Sequence, residues 1–237
     1  MYRHAPDVST ESPRLHHVRQ LQMTQAIAVE PLYKTAMNCT ACFFAGSGLH
    51  LPTIDLPQPR WVGPAYSTSA PRVLVVMLNP GRGDEPQLEQ NLRLKTLLHR
   101  YKRGELGFTA VLDFQREHMQ VWGRPQGRFL PFYTSSLGLE LSALSFVNIA
   151  LCATKENKYP PSMLKRCFDT HTASIASALE PGVVLLSGSA THSFSAELSR
   201  LLPQAEVVPM LHYAHREGAA IESRELSRVR EILAARR

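Results

Sequence analysis

The chain lacks any run of about 20 apolar residues, the length that a membrane-spanning helix needs, so we expect no membrane partner. Its N-terminal stretch, MYRHAPDVSTESPRLHH, lacks the apolar segment of a secretory signal, and we therefore expect a cytoplasmic protein. Cysteine is also scarce, with 4 in 237 residues. In a reducing cytosol these cysteines are expected to be thiols rather than disulfides.

What remains is the composition of an ordinary globular protein with a basic surplus. Hydrophobic residues make up 44% and charged residues 19% of the chain, which leaves enough apolar material for a substantial core. The formal net charge is +6 and the sequence pI is about 9.3, a balance that favours a polyanionic partner. The length favours one large domain. We expect a monomer, and nucleic acid is one such polyanionic partner.

Four short, continuous apolar runs have the pattern of buried parallel strands. Helical patterns separate the later runs, because PSMLKRCFDTHTASIASALE precedes the third run, ATHSFSAELSRLL precedes the fourth and ESRELSRVREILAARR closes the chain. This alternation predicts an α/β fold, a three-layer α/β/α sandwich with a central, mainly parallel four-stranded sheet. The four runs are Val73–Leu78, Leu144–Leu151, Gly182–Gly188 and Ala205–Leu211.

Polar side chains stand where these predicted strands end. NPGRGDE follows the first run and HYAHREG follows the fourth, while Asn148 lies near the end of the second. Ligands of such sheets bind at the carboxyl ends of the strands. We therefore expect Asn79, Asn148 and His212 to approach one cleft.

The four cysteines fall into one close pair and one open pair. Cys39 and Cys42 form a Cys-x-x-Cys pair in NCTAC, and Cys152 and Cys167 bound the segment CATKENKYPPSMLKRC. A Cys-x-x-Cys pair can hold a metal centre, and all four thiols together would make a four-cysteine site. Spacing alone does not separate zinc from an iron–sulfur cluster. The alternative is four unrelated buried thiols.

Four segments at the strand ends resemble motifs of the uracil-DNA glycosylase superfamily: MLNPG, FVNIALC, VVLLSGSATHSF and VPMLHYAH. The first is similar to the Gly-x-Asn-Pro-Gly motif of the mismatch-specific and single-strand-selective branches, with Met77 in place of the first Gly. The resemblance implies that Asn79 positions a water and that His212 stabilises the departing base. It also implies that Asn148 reads the pyrimidine edge.

The cysteines resemble those of the iron–sulfur branch of the same superfamily. That branch holds a [4Fe-4S] cluster with an N-terminal Cys-x-x-Cys pair, a Cys after the pyrimidine-reading strand and another on the next helix. Cys39, Cys42, Cys152 and Cys167 occur in that order. The resemblance implies a [4Fe-4S] cofactor, with zinc as the alternative.

Further contacts with DNA are expected around the cleft. Phe129 and Phe132, in RFLPFY, are candidates for stacking on a flipped base, with ordinary core packing as the alternative. Ser189 follows Gly188 at a predicted helix start, where backbone N–H groups can bind phosphate or the side chain can cap the helix. The basic residues expected to contact phosphates are Arg82, Lys155, Lys158 and Arg216.

The domain organisation follows from the same resemblance, which begins near Met37. We expect residues 1–36 to form a partly flexible extension that includes a short helix. Residues 37–237 are expected to form a uracil-DNA glycosylase-like domain with an insertion at about 84–143. The chain departs from the iron–sulfur branch at Leu78, where that branch has Glu. It also has His-Tyr-Ala in place of His-Pro-Ser after the last strand.

The resemblance predicts a monofunctional DNA glycosylase. It would flip out uracil or a modified pyrimidine, such as the hypermodified bases of some viral genomes, and hydrolyse its glycosidic bond. Such an activity would serve DNA repair or defence against foreign DNA. The alternative, which Leu78 and the altered last motif favour, is a non-catalytic iron–sulfur module that binds nucleic acid on the same fold.

Overall fold

The computed structural model describes residues 24–43, 48–49, 53–81, 88–123 and 127–237. Its centre is a four-stranded sheet in which all strands are parallel, in the order β2-β1-β3-β4. Each strand lies inside one of the apolar runs predicted to form it, so the prediction of a parallel α/β sheet is confirmed. The strands are β1 (Val73–Met77), β2 (Leu144–Asn148), β3 (Val183–Ser187) and β4 (Glu206–Met210).

Burial explains why the runs are continuously apolar. Every residue of β1, β2 and β3 is buried, so both faces of the sheet are covered. Covered faces are the reason that parallel strands show no alternation of polar and apolar residues. The sheet is thus the middle layer of the predicted α/β/α sandwich.

Helices connect and cover the strands. The helical pattern predicted before β3 is confirmed, although a π-helical turn at Phe168–Thr172 interrupts it. Among the described residues the α-helices are α1 (Thr24–Ala36), α2 (Leu88–Lys102), α3 (Phe108–Met119), α4 (Phe129–Tyr133), α5 (Pro161–Cys167), α6 (Ala173–Leu179), α7 (Ser189–His192), α8 (Ser195–Leu201) and α9 (Ala219–Ala235). In this part of the chain, no helix combines the length and the apolar character needed to cross a bilayer.

The segments that flank the sheet in sequence contribute to one core. Helix α1 lies in the stretch predicted as an extension, yet its Val29, Tyr33 and Ala36 are buried in the same cluster as the strands. Residues 1–23 lie outside the described residues. Within the predicted insertion, Leu98 and Val111 of α2 and α3 are fully buried in that cluster. Both segments therefore stabilise the domain by covering apolar surface.

A segment without regular secondary structure docks along the outer edge of β2. The backbone N–H of Gln58 donates to the carbonyl of Leu151 at 2.8 Å, and the N–H of Phe146 donates to Trp61 at 2.8 Å. The Trp61 indole N–H also donates to the carbonyl of Leu141 at 2.9 Å. These bonds satisfy the edge of the sheet and fix the docked segment, residues 57–62.

Candidate functional site

A cleft of about 510 Å³ opens at the carboxyl ends of the strands. The strand order changes direction at β1, because β2 lies on one side of β1 and β3 lies on the other. Such a switch point is where α/β sheets bind ligands. The described residues that line the cleft include Gln58, Arg60, Asn79, Asn91, Trp122, Phe129, Asn157, His212, Tyr213, His215 and Arg216.

The cleft brings together some of the predicted site residues. Asn79 after β1, His212 after β4, Phe129 on α4 and the exposed Arg216 all line it. Aromatic walls come from Trp122 and Tyr213, whose rings each meet the Phe129 ring edge to face, with centroids 5.4 and 5.1 Å away. The cleft thus has two candidate catalytic groups beside an aromatic surface.

Other predicted site residues lie elsewhere. Phe132 is buried and packs against Tyr133, with ring centroids 5.1 Å apart, which matches the core-packing alternative. Lys155, Lys158 and Ser189 are exposed outside the described lining of the cleft, and Lys158 forms an ion pair with Glu156. Arg82 lies outside the described residues.

Hydrogen bonding fixes the tautomer of His212. The backbone N–H of Ala214 donates to Nδ1 of His212 at 3.2 Å, so Nδ1 is the acceptor and the ring proton is on Nε2. Burial and, to a smaller extent, the neighbouring His215 lower the pKa of His212 to about 4. His212 is therefore a neutral imidazole near pH 7, with an N–H donor at Nε2.

The main chain after β3 packs directly on this histidine. Gly188 has a φ of 95°, in the region that favours glycine, and its N–H donates to the carbonyl of Met210 at 2.9 Å. A Cβ atom added to Gly188 would lie 3.1 Å from Cβ of His212. Only glycine allows the strand end to support the imidazole this closely.

The amide of Asn79 is held from one side. Its Nδ2 donates to Oδ1 of Asn157 at 2.6 Å. Asn157 has a positive φ of 56°, a conformation that asparagine adopts more readily than most residues. With Nδ2 so engaged, the oxygen of Asn79 remains an acceptor for a water or a substrate group.

Asn148 lies beneath the cleft and contacts a buried arginine. Its side chain is 0% exposed. With its amide oxygen turned toward Arg60, it accepts hydrogen bonds from Nη2 at 3.0 Å and from Nε at 2.8 Å. That orientation gives two donors of the guanidinium an acceptor. The side chain predicted to read a base edge is thus bonded to Arg60.

An ion-pair network closes one side of the cleft. Glu222 on α9 bonds to Arg128 and, at 2.8 Å, to Nε2 of His215. The backbone N–H of Glu217 donates to Nδ1 of the same histidine at 3.2 Å, so His215 is expected to donate from Nε2 to the carboxylate. The network joins α9 and the start of α4 to the loop that carries His212.

The charged side chains among the described residues that line the cleft are all basic. Arg60 and Arg216 line it, while no Asp, Glu or Lys is among its described lining residues. A cleft of this kind favours ligands with negative charge or several hydrogen-bond acceptors. A Schiff-base mechanism would need a lysine within reach of the substrate, and none of the described lining residues supplies it.

The four cysteines line a second cavity together. Cys39 and Cys42 follow α1, Cys152 follows β2, and Cys167 ends α5. No three Cys, His, Asp or Glu side chains of the described ranges are arranged to hold one metal ion.

The surroundings of this cavity fit an occupant that binds thiolates. The backbone N–H of Leu151 donates to Sγ of Cys167 at 3.3 Å, the type of hydrogen bond that tunes iron–sulfur clusters. His171 also lines the cavity, and its buried Nε2 has no partner among the described residues. Burial and the neighbouring thiols raise the pKa of Cys152, so this thiol stays protonated near neutral pH unless a cation binds it. The donor set suits a cluster.

The residues of the cleft that sequence reasoning missed include Gln58, Arg60 and Asn157. Asn157 belongs to CATKENKYPP, the loop after the second predicted strand, so its position was a usable signal. Gln58 and Arg60 precede β1 in a proline-rich stretch, QPRWVGP, that carries no strand or helix pattern. Only the docking of this stretch along β2 brings them to the cleft.

Comparison with known proteins gives no family for the chain. No family model matches it, and no curated protein matches its sequence. Fold and site define an α/β protein with a basic, aromatic-walled cleft at the strand ends and a separate four-cysteine cavity.

Proposed function

We propose that the protein is a monofunctional DNA glycosylase that hydrolyses the N-glycosidic bond of uracil or a modified pyrimidine. The observation that carries the proposal is the pairing of Asn79 and a neutral His212 in one cleft. They come from the ends of different strands. Asn157 and Tyr159 hold the side chain of Asn79, and the Ala214 N–H occupies Nδ1 of His212, which leaves Nε2–H of His212 available. The motif resemblance assigns the same two residues.

The reaction needs a water and a donor on opposite sides of the breaking bond. The oxygen of Asn79 accepts a hydrogen bond from the water and orients it toward C1′. The bond from C1′ to N1 breaks, its electron pair leaves on the base, and the water oxygen bonds to C1′. The water gives a proton to solvent, and the released base takes one up. Nε2–H of His212 stabilises the negative charge that develops on O2 of the base.

Access to C1′ requires the nucleotide to leave the helical stack. Trp122 and Tyr213 offer aromatic surface for an extruded base, and Phe129, which is 2% exposed, packs behind them. The exposed Arg216 at the cleft, together with the net charge of +6, supports contact with phosphates. DNA is therefore the partner that the proposal names.

Cys39, Cys42, Cys152 and Cys167 are the residues that would hold a [4Fe-4S] cluster. Four thiols at one cavity match the donor set of a [4Fe-4S] cluster or of a zinc ion, and the order of the cysteines, which resembles that of the iron–sulfur branch, favours the cluster. Bound there, the cluster would crosslink the chain after α1 to the sheet and to α5. Its role in the proposal is structural, and no step of the reaction passes through it.

Abasic-site formation tests the proposed function. Matched duplexes and single strands carrying uracil, 5-hydroxymethylcytosine or glucosylated cytosine are incubated with the protein and then heated in alkali, which cuts abasic sites. We expect cutting at the target position of at least one substrate. We also expect little cutting with Asn79→Ala, because the water loses its orientation. DNA binding without cutting in every case would instead support the non-catalytic module.

Gly188→Ala should displace His212 and slow base release. Gly188 has φ 95° and ψ 146°, close to a backbone region that is essentially limited to glycine and costs other residues about 1–3 kcal/mol, and the new methyl would also crowd the imidazole. The matched control is Gly138→Ala, since Gly138 has a φ of 65° but no atom within 4 Å of the added Cβ. Both variants should lose thermal stability, Gly188→Ala more than Gly138→Ala, and at a temperature where both are folded only Gly188→Ala should lose activity. Equal release rates in the two variants would show that this contact does not position His212.

A further inference from the structure

Two side chains of the docked segment, Gln58 and Arg60, point to the same cleft. They are two residues apart in extended chain, where alternate side chains share a face. Each is only 3% exposed, yet both line the cleft. Their backbone is fixed by hydrogen bonds to the β2 edge, including the bond from the Gln58 N–H to Leu151. These two donors are therefore preorganised.

Arg60 is a buried cation whose hydrogen bonds are incomplete. Its guanidinium stacks on Trp122, with Cζ 5.4 Å from the ring centroid, and its Nε and Nη2 donate to the Asn148 oxygen. A guanidinium has five N–H groups. The remaining N–H groups of Arg60 have no acceptor, and the group has no carboxylate partner, among the described residues. The buried Nε2 of Gln58 also has no partner there.

Leaving such donors buried and unpaired is costly. A buried polar group without a partner lowers the stability of the fold, and an unpaired buried charge lowers it further. Burial lowers the pKa of Arg60 to about 10, which leaves it charged near neutrality. A ligand in the cleft would recover this cost if it supplied acceptor atoms to both residues. Arg60 and Gln58 therefore favour an acceptor-rich group.

The contact with Arg60 also changes what Asn148 can do. An asparagine reads a uracil edge by accepting from N3–H and donating to O4, which needs its amide oxygen. Here that oxygen is bonded to the guanidinium and the side chain is fully buried. The donors that face the cleft are those of Arg60 and Gln58.

We propose that Arg60 and Gln58 are the specificity-determining residues of the cleft and bind two adjacent acceptor atoms on the flipped base. This inference rests on the proposed glycosylase function. The planar fork of arginine suits such a pair, as in its bidentate contact with guanine O6 and N7. Asn148 is a positioning residue that orients the fork.

This chemistry separates bases into classes. In uracil, O4 lies between N3–H and C5–H, so no second acceptor is adjacent. A pyrimidine with a 5-formyl or 5-carboxyl group has an oxygen of that group as a second acceptor beside O4, and hypoxanthine has O6 beside N7. A backbone phosphate also has paired oxygens, but Arg60 is 3% exposed at the floor of the cleft, and an extruded base penetrates deeper than its phosphates.

Binding to uncleavable DNA tests the proposal separately from catalysis. Duplexes carry a 2′-fluorinated nucleotide, whose fluorine disfavours the oxocarbenium-like transition state, with uracil, 5-carboxyuracil or hypoxanthine as the base. The proteins are wild type, Arg60→Lys, Gln58→Met and the exposed control Arg224→Lys. Arg60→Lys keeps the charge but removes the fork. Thermal melts verify that each variant is folded.

We expect the wild-type protein to bind one or both acceptor-pair bases about 10- to 100-fold more tightly than uracil. Arg60→Lys should reduce this ratio to near one, Gln58→Met should reduce it partly, and Arg224→Lys should preserve it. If Arg60→Lys does not fold, the Gln58→Met ratio decides. The proposal is overturned if the wild-type protein binds all three bases equally. It is also overturned if the folded Arg60 and Gln58 variants retain the wild-type binding ratio.

Two further outcomes separate this proposal from its neighbours. If inorganic phosphate competes with DNA and loses affinity in Arg60→Lys while base preference is absent, Arg60 is an anion site and the base proposal fails. If the base preference depends on Arg60 but no free base is released from any substrate with natural sugars, the recognition site stands. In that case the glycosylase proposal is the one that fails.

Discussion

Replacing His212 with alanine is expected to slow base release by about 100- to 1,000-fold, the usual effect of removing a preorganised donor to a developing anion. The donor here is Nε2–H, because the Ala214 N–H occupies Nδ1. DNA affinity should change little, since Arg60 and Arg216 remain in the cleft. The measurement is the single-turnover rate, with binding assayed in parallel.

A matched control for this variant is His192→Ala. His192 is also partly buried near the end of β4, and its Nε2 contacts the carbonyl of Met210 at 3.2 Å. It is not among the described residues that line the cleft. His192→Ala should therefore release base at close to the wild-type rate. A wild-type rate in His212→Ala would exclude this histidine from the reaction.

The state of His212 also predicts the pH dependence. Because burial lowers its pKa to about 4, the imidazole stays neutral as the pH falls from 8 to 5. The release rate should not follow an ordinary histidine titration in that range. In the unfolded chain the same group binds a proton near pH 6.5, so its contribution to stability should decline as the pH falls from 6.5 toward 4. His212→Ala should weaken that decline.

Loss of one cysteine ligand is expected to remove the metal centre and destabilise the fold. Cys167→Ser would break the link between α5 and the chain after α1, because Cys39 and Cys42 face the same cavity. Structural metal sites contribute on the order of 10 kcal/mol to folding, so we expect the free energy of unfolding to fall by more than about 3 kcal/mol. The measurements are iron and sulfide per chain and denaturant unfolding under anaerobic conditions.

Met163→Leu is the control for the cysteine variant. Met163 lines the same cavity and is 5% exposed, but leucine conserves its volume and the thiols remain. We expect it to keep iron and to lose less than about 1.5 kcal/mol. Stoichiometric zinc without iron in anaerobically purified wild-type protein would contradict the cluster. Full stability of Cys167→Ser would contradict its structural role.

The sheet could be predicted from sequence because its strands are buried on both faces. Val73–Met77 and Val183–Ser187 lie inside short, continuous apolar runs. Runs of this length, bounded by turn residues, favour strands over helices, which are usually longer. Strand ends then indicated where Asn79 and His212 would meet. The cysteine cavity followed from sequence order and spacing, because its ligands flank predicted elements.

The base-recognition surface could not be predicted in the same way. Arg60 reads as one charge in a loop, and its burial depends on hydrogen bonds between Trp61 and the edge of β2. Long-range docking of irregular backbone leaves no periodic signal. The contact between Asn148 and Arg60 could not be predicted either, because the two residues are distant in sequence. Phe132 has the composition of a stacking residue, but α4 turns it into the core.

The mass of an intact DNA strand after incubation tests the central claim most directly. The strand carries one target base, and the assay reads both the strand and any free base. We expect the mass of the strand to fall by the mass of the released base minus that of one water. We also expect an uncut backbone, because no lysine is among the described residues that line the cleft. A strand of unchanged mass, recovered for every base from protein that binds it, would contradict the claim of a glycosylase.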